Sequence, residues 1–142
     1  LMASPDTFFV TVRGKGGHAA KPNETVDPIP IAAQVVMGLQ TIVSRTVDPI
    51  EPAVVSVTQF HAGTTHNVIP EEAKLVGTVR TFDKALRARI PKEMERIIKG
   101  ITEAHGAEYE FAWQDGYRPV INDPQVTARV ERALVGSGSG GP

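Results

Sequence analysis

Four side chains in this sequence have the type and setting to act on a small polar ligand. His18 stands in Gly14-Lys15-Gly16-Gly17-His18-Ala19-Ala20-Lys21-Pro22, behind glycines that let the backbone approach another group closely. A neutral imidazole N–H in such a place can hydrogen-bond an oxygen that gains charge during addition to a carbonyl. Asn67 stands in Gly63-Thr64-Thr65-His66-Asn67-Val68-Ile69-Pro70, where Val68-Ile69-Pro70 forms an apolar clamp and the amide can both donate and accept. His66 precedes it in the same loop. Arg80 interrupts Thr78-Val79-Arg80-Thr81-Phe82, a segment otherwise of apolar and threonine side chains, where a guanidinium must find a carboxylate, a phosphate or solvent. Each has a plain structural use as well: a loop histidine bonded to backbone, a turn asparagine, a solvated ring, an arginine on an exposed sheet face.

Other chemistries lack their residues. No His-x-x-x-His, His-x-Asp or clustered-acid pattern occurs, and Glu71-Glu72 opens a strand without partners, so no metal site is expected within the chain. His61 and His66 are separated by a glycine turn, and His105 falls near a helix end. The Gly14-x-Gly-Gly segment lacks the lysine-serine ending of a phosphate loop and does not run directly into a helix. No serine is positioned to start a triad, and cysteine is absent, which removes disulfides, thiolate ligands and thiol nucleophiles. A cysteine-free chain fits a reducing, cytoplasmic compartment.

With 142 residues the chain is the size of one domain, since domains usually run to about 100–150 residues. Fifteen basic and sixteen acidic residues leave a formal charge of −1, which gives no electrostatic case for nucleic acid or an anionic membrane as partner. No apolar run approaches the roughly 20 residues that span a bilayer. The abrupt start at Leu1-Met2-Ala3-Ser4-Pro5 is that expected of a segment cut from a longer chain, and Gly136-Ser137-Gly138-Ser139-Gly140-Gly141-Pro142 has the composition of a flexible linker. The expected division is a main domain over 1–123, a weak helix over 124–135 and the linker over 136–142.

The elements that must hold the four side chains follow from periodicity. Thr7 to Arg13 alternates as a strand. Asp27-Pro28 offers a cap and first turn for a helix carrying Ala32, Val35, Val36, Leu39, Ile42 and Val43 at spacings of three and four. Ala53–Phe60 and Ala73–Phe82 are strands on either side of the Asn67 loop. Asp83–Ile90 is helix-friendly, but Pro91 can sit only near a helix start, so a short turn and then a second helix stopping at Gly106 are expected. Ala107–Trp113 alternates again. The order β-α-β-β-α-β specifies an α+β, ferredoxin-like sandwich: a four-stranded antiparallel sheet with both helices on one face.

The paired histidine loops, in that order and with the Arg80 strand downstream, resemble the lid or dimerisation domain of the zinc-dependent amidohydrolase and carboxypeptidase family, which includes aminoacylases, hippurate hydrolases and indole-acetyl-amino-acid hydrolases. The resemblance spans Ser4 to Asp123. It implies that His18 reaches across a dimer to contact the tetrahedral oxyanion in the partner's active site, that Asn67 binds substrate near the scissile group with His66 beside it, and that Arg80 takes the substrate's free carboxylate. It also implies zinc or another divalent metal on a catalytic domain whose ligands are not in this chain, so that the chain alone is inactive. Two other readings stay open: an excised self-associating scaffold, and a free-standing ferredoxin-like binding module.

Self-association is expected through the edge strand, at Val54, Val55, Ser56, Val57 and Thr58, which carries no charge, together with the first helix. A lysine at Val55 is expected to split that dimer without unfolding the chain.

Overall fold

A computed structural model of the chain describes residues 3–116. The helix expected over 124–135, the linker over 136–142 and the domain boundary at 123 lie outside those residues. The main sheet has four antiparallel strands in the order β3-β5-β1-β6, formed by β1 (Ser4–Arg13), β3 (Ala53–Ala62), β5 (Glu72–Thr81) and β6 (Glu108–Gln114). Two short strands, β2 (Gly17–His18) and β4 (Val68–Ile69), pair with each other. Helices α1 (Pro28–Thr41) and α2 (Lys84–Ala104) cover one face of the sheet, α1 across β3 and β5 and α2 toward β6. The ferredoxin-like sandwich expected from the sequence is therefore the fold.

The strands form because alternate residues have a core to enter. Phe8, Val10 and Val12 of β1, with Ala73, Leu75 and Val79 of β5, point at the helices and are buried. At Gly77 the chain needs a residue without a side chain: the Phe8 ring lies over it, and an added Cβ would fall 2.2 Å from the Phe8 Cζ. From the helices, Ile31, Val35 and Leu39 meet Leu86, Ile90 and Met94 in the same core. Asp27 caps α1 by accepting from the Ile29 N–H at 3.0 Å, and Asp83 caps α2 by accepting from the Leu86 N–H at 2.8 Å.

Two expectations need correction. The turn expected before Pro91 is absent: α2 is one helix from Lys84 to Ala104 with Pro91 inside it. Proline there removes a helix hydrogen bond at a cost of about 3 kcal/mol or more. Leu86, Ile90, Met94 and Ile98, spaced four apart, gain about 1.5–3 kcal/mol each by burial on one unbroken face, which outweighs it. The second correction concerns the edge. Val55 is only 6% exposed and lies opposite Val79, facing the helices, so a lysine there would have to bury its ammonium in the core and cannot serve as a clean probe of dimerisation.

β1 also starts earlier than its apolar alternation shows. Ser4 and Asp6 occupy inward positions, and Asp6 is fully buried. Arg87 of α2 donates to both Asp6 carboxylate oxygens, Nε at 2.8 Å and Nη2 at 2.7 Å, and the Gly116 N–H donates to Oδ1 at 2.7 Å. Hydrogen bonding to Asp6 raises the Arg87 pKa above its ordinary value.

Candidate functional site

The site is built where β1 leaves the sheet. The Gly14 N–H donates to the Glu71 carbonyl at 2.8 Å, and Lys15 and Val26 exchange two backbone hydrogen bonds, closing the loop into a ring. Backbone packs directly on backbone here. A Cβ at Gly14 would lie 1.9 Å from the Val26 oxygen, and one at Gly16 would lie 2.4 Å from the Ile69 oxygen. Gly14 and Gly16 are thus required by close approach.

Beyond them, Gly17 pairs with Ile69 and His18 with Val68, and the Ala19 N–H donates to the Asn67 carbonyl at 3.1 Å. The two loops singled out in the sequence are one hydrogen-bonded unit. Directly opposed residues share a face of a ladder, so His18 and Val68 project together. His18 is exposed, and its Nδ1 accepts from the Ala20 N–H at 3.0 Å. Asn67 is exposed too, and its Oδ1 accepts from the Thr65 hydroxyl at 3.2 Å. His66 lines an open depression of about 520 Å³ with Asp27, Ile29, Thr64 and Thr65 beside the start of α1.

Arg80 is elsewhere. It lies on the sheet face that carries no helix, exposed, opposite Pro5 on one side and Val54 on the other. Neither neighbour is a carboxylate, and among the described residues Arg80 makes no ion pair; Arg13, on the same face, is held by Glu72 at 2.8 Å and Glu110 at 3.1 Å. Arg80 and Glu72 stand near opposite ends of β5, and the His18–Asn67 unit extends from the Glu72 end. At about 3.3 Å per residue, the length of β5 between them puts the Arg80 backbone roughly 25 Å from that end of the strand. The structure therefore joins the loops of His18 and Asn67, places His66 on the adjoining depression, and leaves Arg80 apart.

Among the described residues, no group of three or more His, Cys, Asp or Glu side chains is arranged to hold a metal. The donors of these described residues do not fit a catalytic metal. No described helix is long and apolar enough to cross a membrane. Sequence reasoning did not find the Ala20 N–H or the β2–β4 ladder, whose two-residue strands are too short for periodicity. Their available signal was the demand for glycine at 14 and 16 set against the β-branched pair Val68-Ile69.

The sequence pattern of the peptidase dimerisation domain matches residues 6–109. The N-acyl-L-amino acid amidohydrolase of Geobacillus stearothermophilus is 60% identical over 99% of this chain and 39% of its own length. Thermostable carboxypeptidase 2 of Saccharolobus solfataricus is 39% identical over 94% of this chain and 34% of its own length. A dinuclear metal-binding peptidase of Bacillus subtilis, 38% identical, superposes with a TM-score of 0.69 over 97% of this chain and 33% of that one. The chain spans between a third and two fifths of the length of these relatives.

Proposed function

The chain belongs to the peptidase dimerisation domain family, and we propose on that premise that it is the self-associating, substrate-capping part of a metal-dependent amidohydrolase acting on N-acyl amino acids or small peptides. The observation that carries the reading is the separation of His18 and Asn67 from Arg80. A substrate of that class is about half as long as the roughly 25 Å of strand between them, so one copy cannot present both ends of the site to it. Two copies related by a two-fold axis can: one supplies His18, with its N–H toward the oxyanion and Asn67 beside it, while the other supplies Arg80 for the substrate carboxylate.

The interface we assign is β3 with α1. β3 is an edge strand, Ala53 to Thr58 carry no charge, and α1 lies on the same side of the domain with Met37 69% exposed. The other edge, β6, carries Glu108 and Glu110, which protect it from pairing. Two β3 strands paired antiparallel would make one sheet of eight strands, with Val54, Ser56 and Thr58 contributing side chains and Val55 and Val57 chiefly their backbone. Zinc or another divalent metal belongs to the catalytic part of the parent enzyme, the chain by itself is inactive, and the absence of cysteine supports a cytoplasmic setting.

The test is made in a full-length enzyme containing this domain. His18→Ala should lower kcat by about 10²–10³ with KM little changed, the signature of a donor used in the transition state. An unchanged kcat would overturn the assignment.

A further inference from the structure

We propose that the backbone N–H of Ala20 is a positioning group that fixes His18 as a single-donor imidazole, with Nδ1 as acceptor and Nε2–H as the only donor offered to a ligand. A backbone amide always donates, so the ring atom 3.0 Å from the Ala20 nitrogen must present a lone pair. In the neutral ring the proton is then on Nε2, the atom farthest from the main chain. The amide is itself held, because the next residue's N–H, that of Lys21, donates to the His18 carbonyl at 2.9 Å.

The hold continues around the loop. The Glu24 N–H donates to the Lys21 carbonyl at 3.1 Å, the Thr25 hydroxyl donates to the Pro22 carbonyl at 2.7 Å, and Val26 bonds back to Lys15. An exposed histidine would otherwise exchange tautomers and swing about χ1 and χ2. Here the backbone that carries the ring is held by the ladder with Val68, and the ring itself by the Ala20 N–H. A donor already oriented costs no reorganisation when charge develops, which is the condition for strong oxyanion stabilisation. The value of the device to catalysis rests on the reading of His18 given above; its existence does not.

Nuclear magnetic resonance on the chain itself tests it, with substitutions that copy one ring nitrogen at a time. Asn at position 18 places an oxygen acceptor where Nδ1 stood, whereas Gln extends its amide toward the position of Nε2. The Ala20 amide should exchange with solvent about fivefold more slowly in the wild type and in His18→Asn than in His18→Gln and His18→Ala. The remaining amide spectrum should be unchanged in all four. The imidazole nitrogen shifts of neutral His18 should show Nδ1 unprotonated, with a through-hydrogen-bond coupling to the Ala20 nitrogen. Equal Ala20 exchange in the wild type and His18→Gln, or a proton on Nδ1, would overturn the proposal. Activity of His18→Gln and His18→Asn in a full-length enzyme is a separate readout: a confirmed Ala20 bond with no loss of kcat in either variant would remove the oxyanion role and leave the positioning intact.

Discussion

Arg87 grips Asp6 with two hydrogen bonds across 81 residues of sequence, and that carboxylate has no exposed surface. The pair joins α2 to the start of β1, and Gly116 completes it from just beyond β6. Removing one partner strands the other. Arg87→Met should therefore cost about 3–5 kcal/mol in urea unfolding, because it leaves a buried carboxylate without its countercharge. The double variant Asp6→Leu, Arg87→Met should recover most of that loss. If the single and double variants are equally unstable, the pair is not the source of the cost.

The edge-strand interface predicts a dimer by sedimentation equilibrium at tens of micromolar. Ser56→Lys, on the open face opposite Thr78, and Met37→Lys, on exposed α1, should each shift the chain toward monomer with the circular dichroism unchanged. Val55→Lys should instead unfold it. A wild-type monomer, or a dimer indifferent to both surface lysines, would move the interface elsewhere.

Gly16→Ala is expected to act on two residues at once. Its Cβ would lie 2.4 Å from the Ile69 carbonyl oxygen, so the ladder joining the loops must open. The resonances of His18 and Asn67 should shift together while those of α2 stay in place. Movement of His18 alone would show that the loops are not one unit.

For Arg80 the expected signature is a choice between substrates. In a full-length enzyme Arg80→Ala should weaken substrates with a free carboxylate by about 10- to 100-fold in kcat/KM, as loss of a charge-assisted hydrogen bond requires. The matching carboxamides should change little. Equal losses for both would show that Arg80 does not recognise the carboxylate.

The purified chain should not hydrolyse N-acetyl or N-benzoyl amino acids when zinc or cobalt is added. Turnover that persists through repurification and is lost in His18→Ala would contradict this.

What could be read in advance divides along physical lines. Alternation at Phe8, Val10 and Val12 marks β1 because every second residue enters the core, but Asp6 breaks the pattern and is legible only when its distant partner Arg87 is known. Pro91 misleads because its local cost is visible in sequence, whereas the gain from one continuous face of Leu86, Ile90, Met94 and Ile98 belongs to packing. His18, Asn67 and Arg80 stand out by type and setting. Their distribution does not: that His18 and Asn67 share a ladder and that Arg80 is a sheet-length away are facts of register, fixed by hydrogen bonds between residues far apart in sequence.

The sheet-length gap between Arg80 and the His18–Asn67 unit has a consequence for mixtures. If each working centre draws His18 from one copy and Arg80 from the other, then a mixed dimer of His18→Ala and Arg80→Ala chains holds one centre with both residues lost and one with both intact. On a substrate with a free carboxylate, two impaired enzymes would complement each other. Random reassortment at equal ratio would restore about a quarter of the wild-type rate, because half of the dimers are mixed and each has one sound centre. Were the two residues drawn from the same copy, no mixed dimer would contain a complete centre, and the mixture would be no faster than its parts.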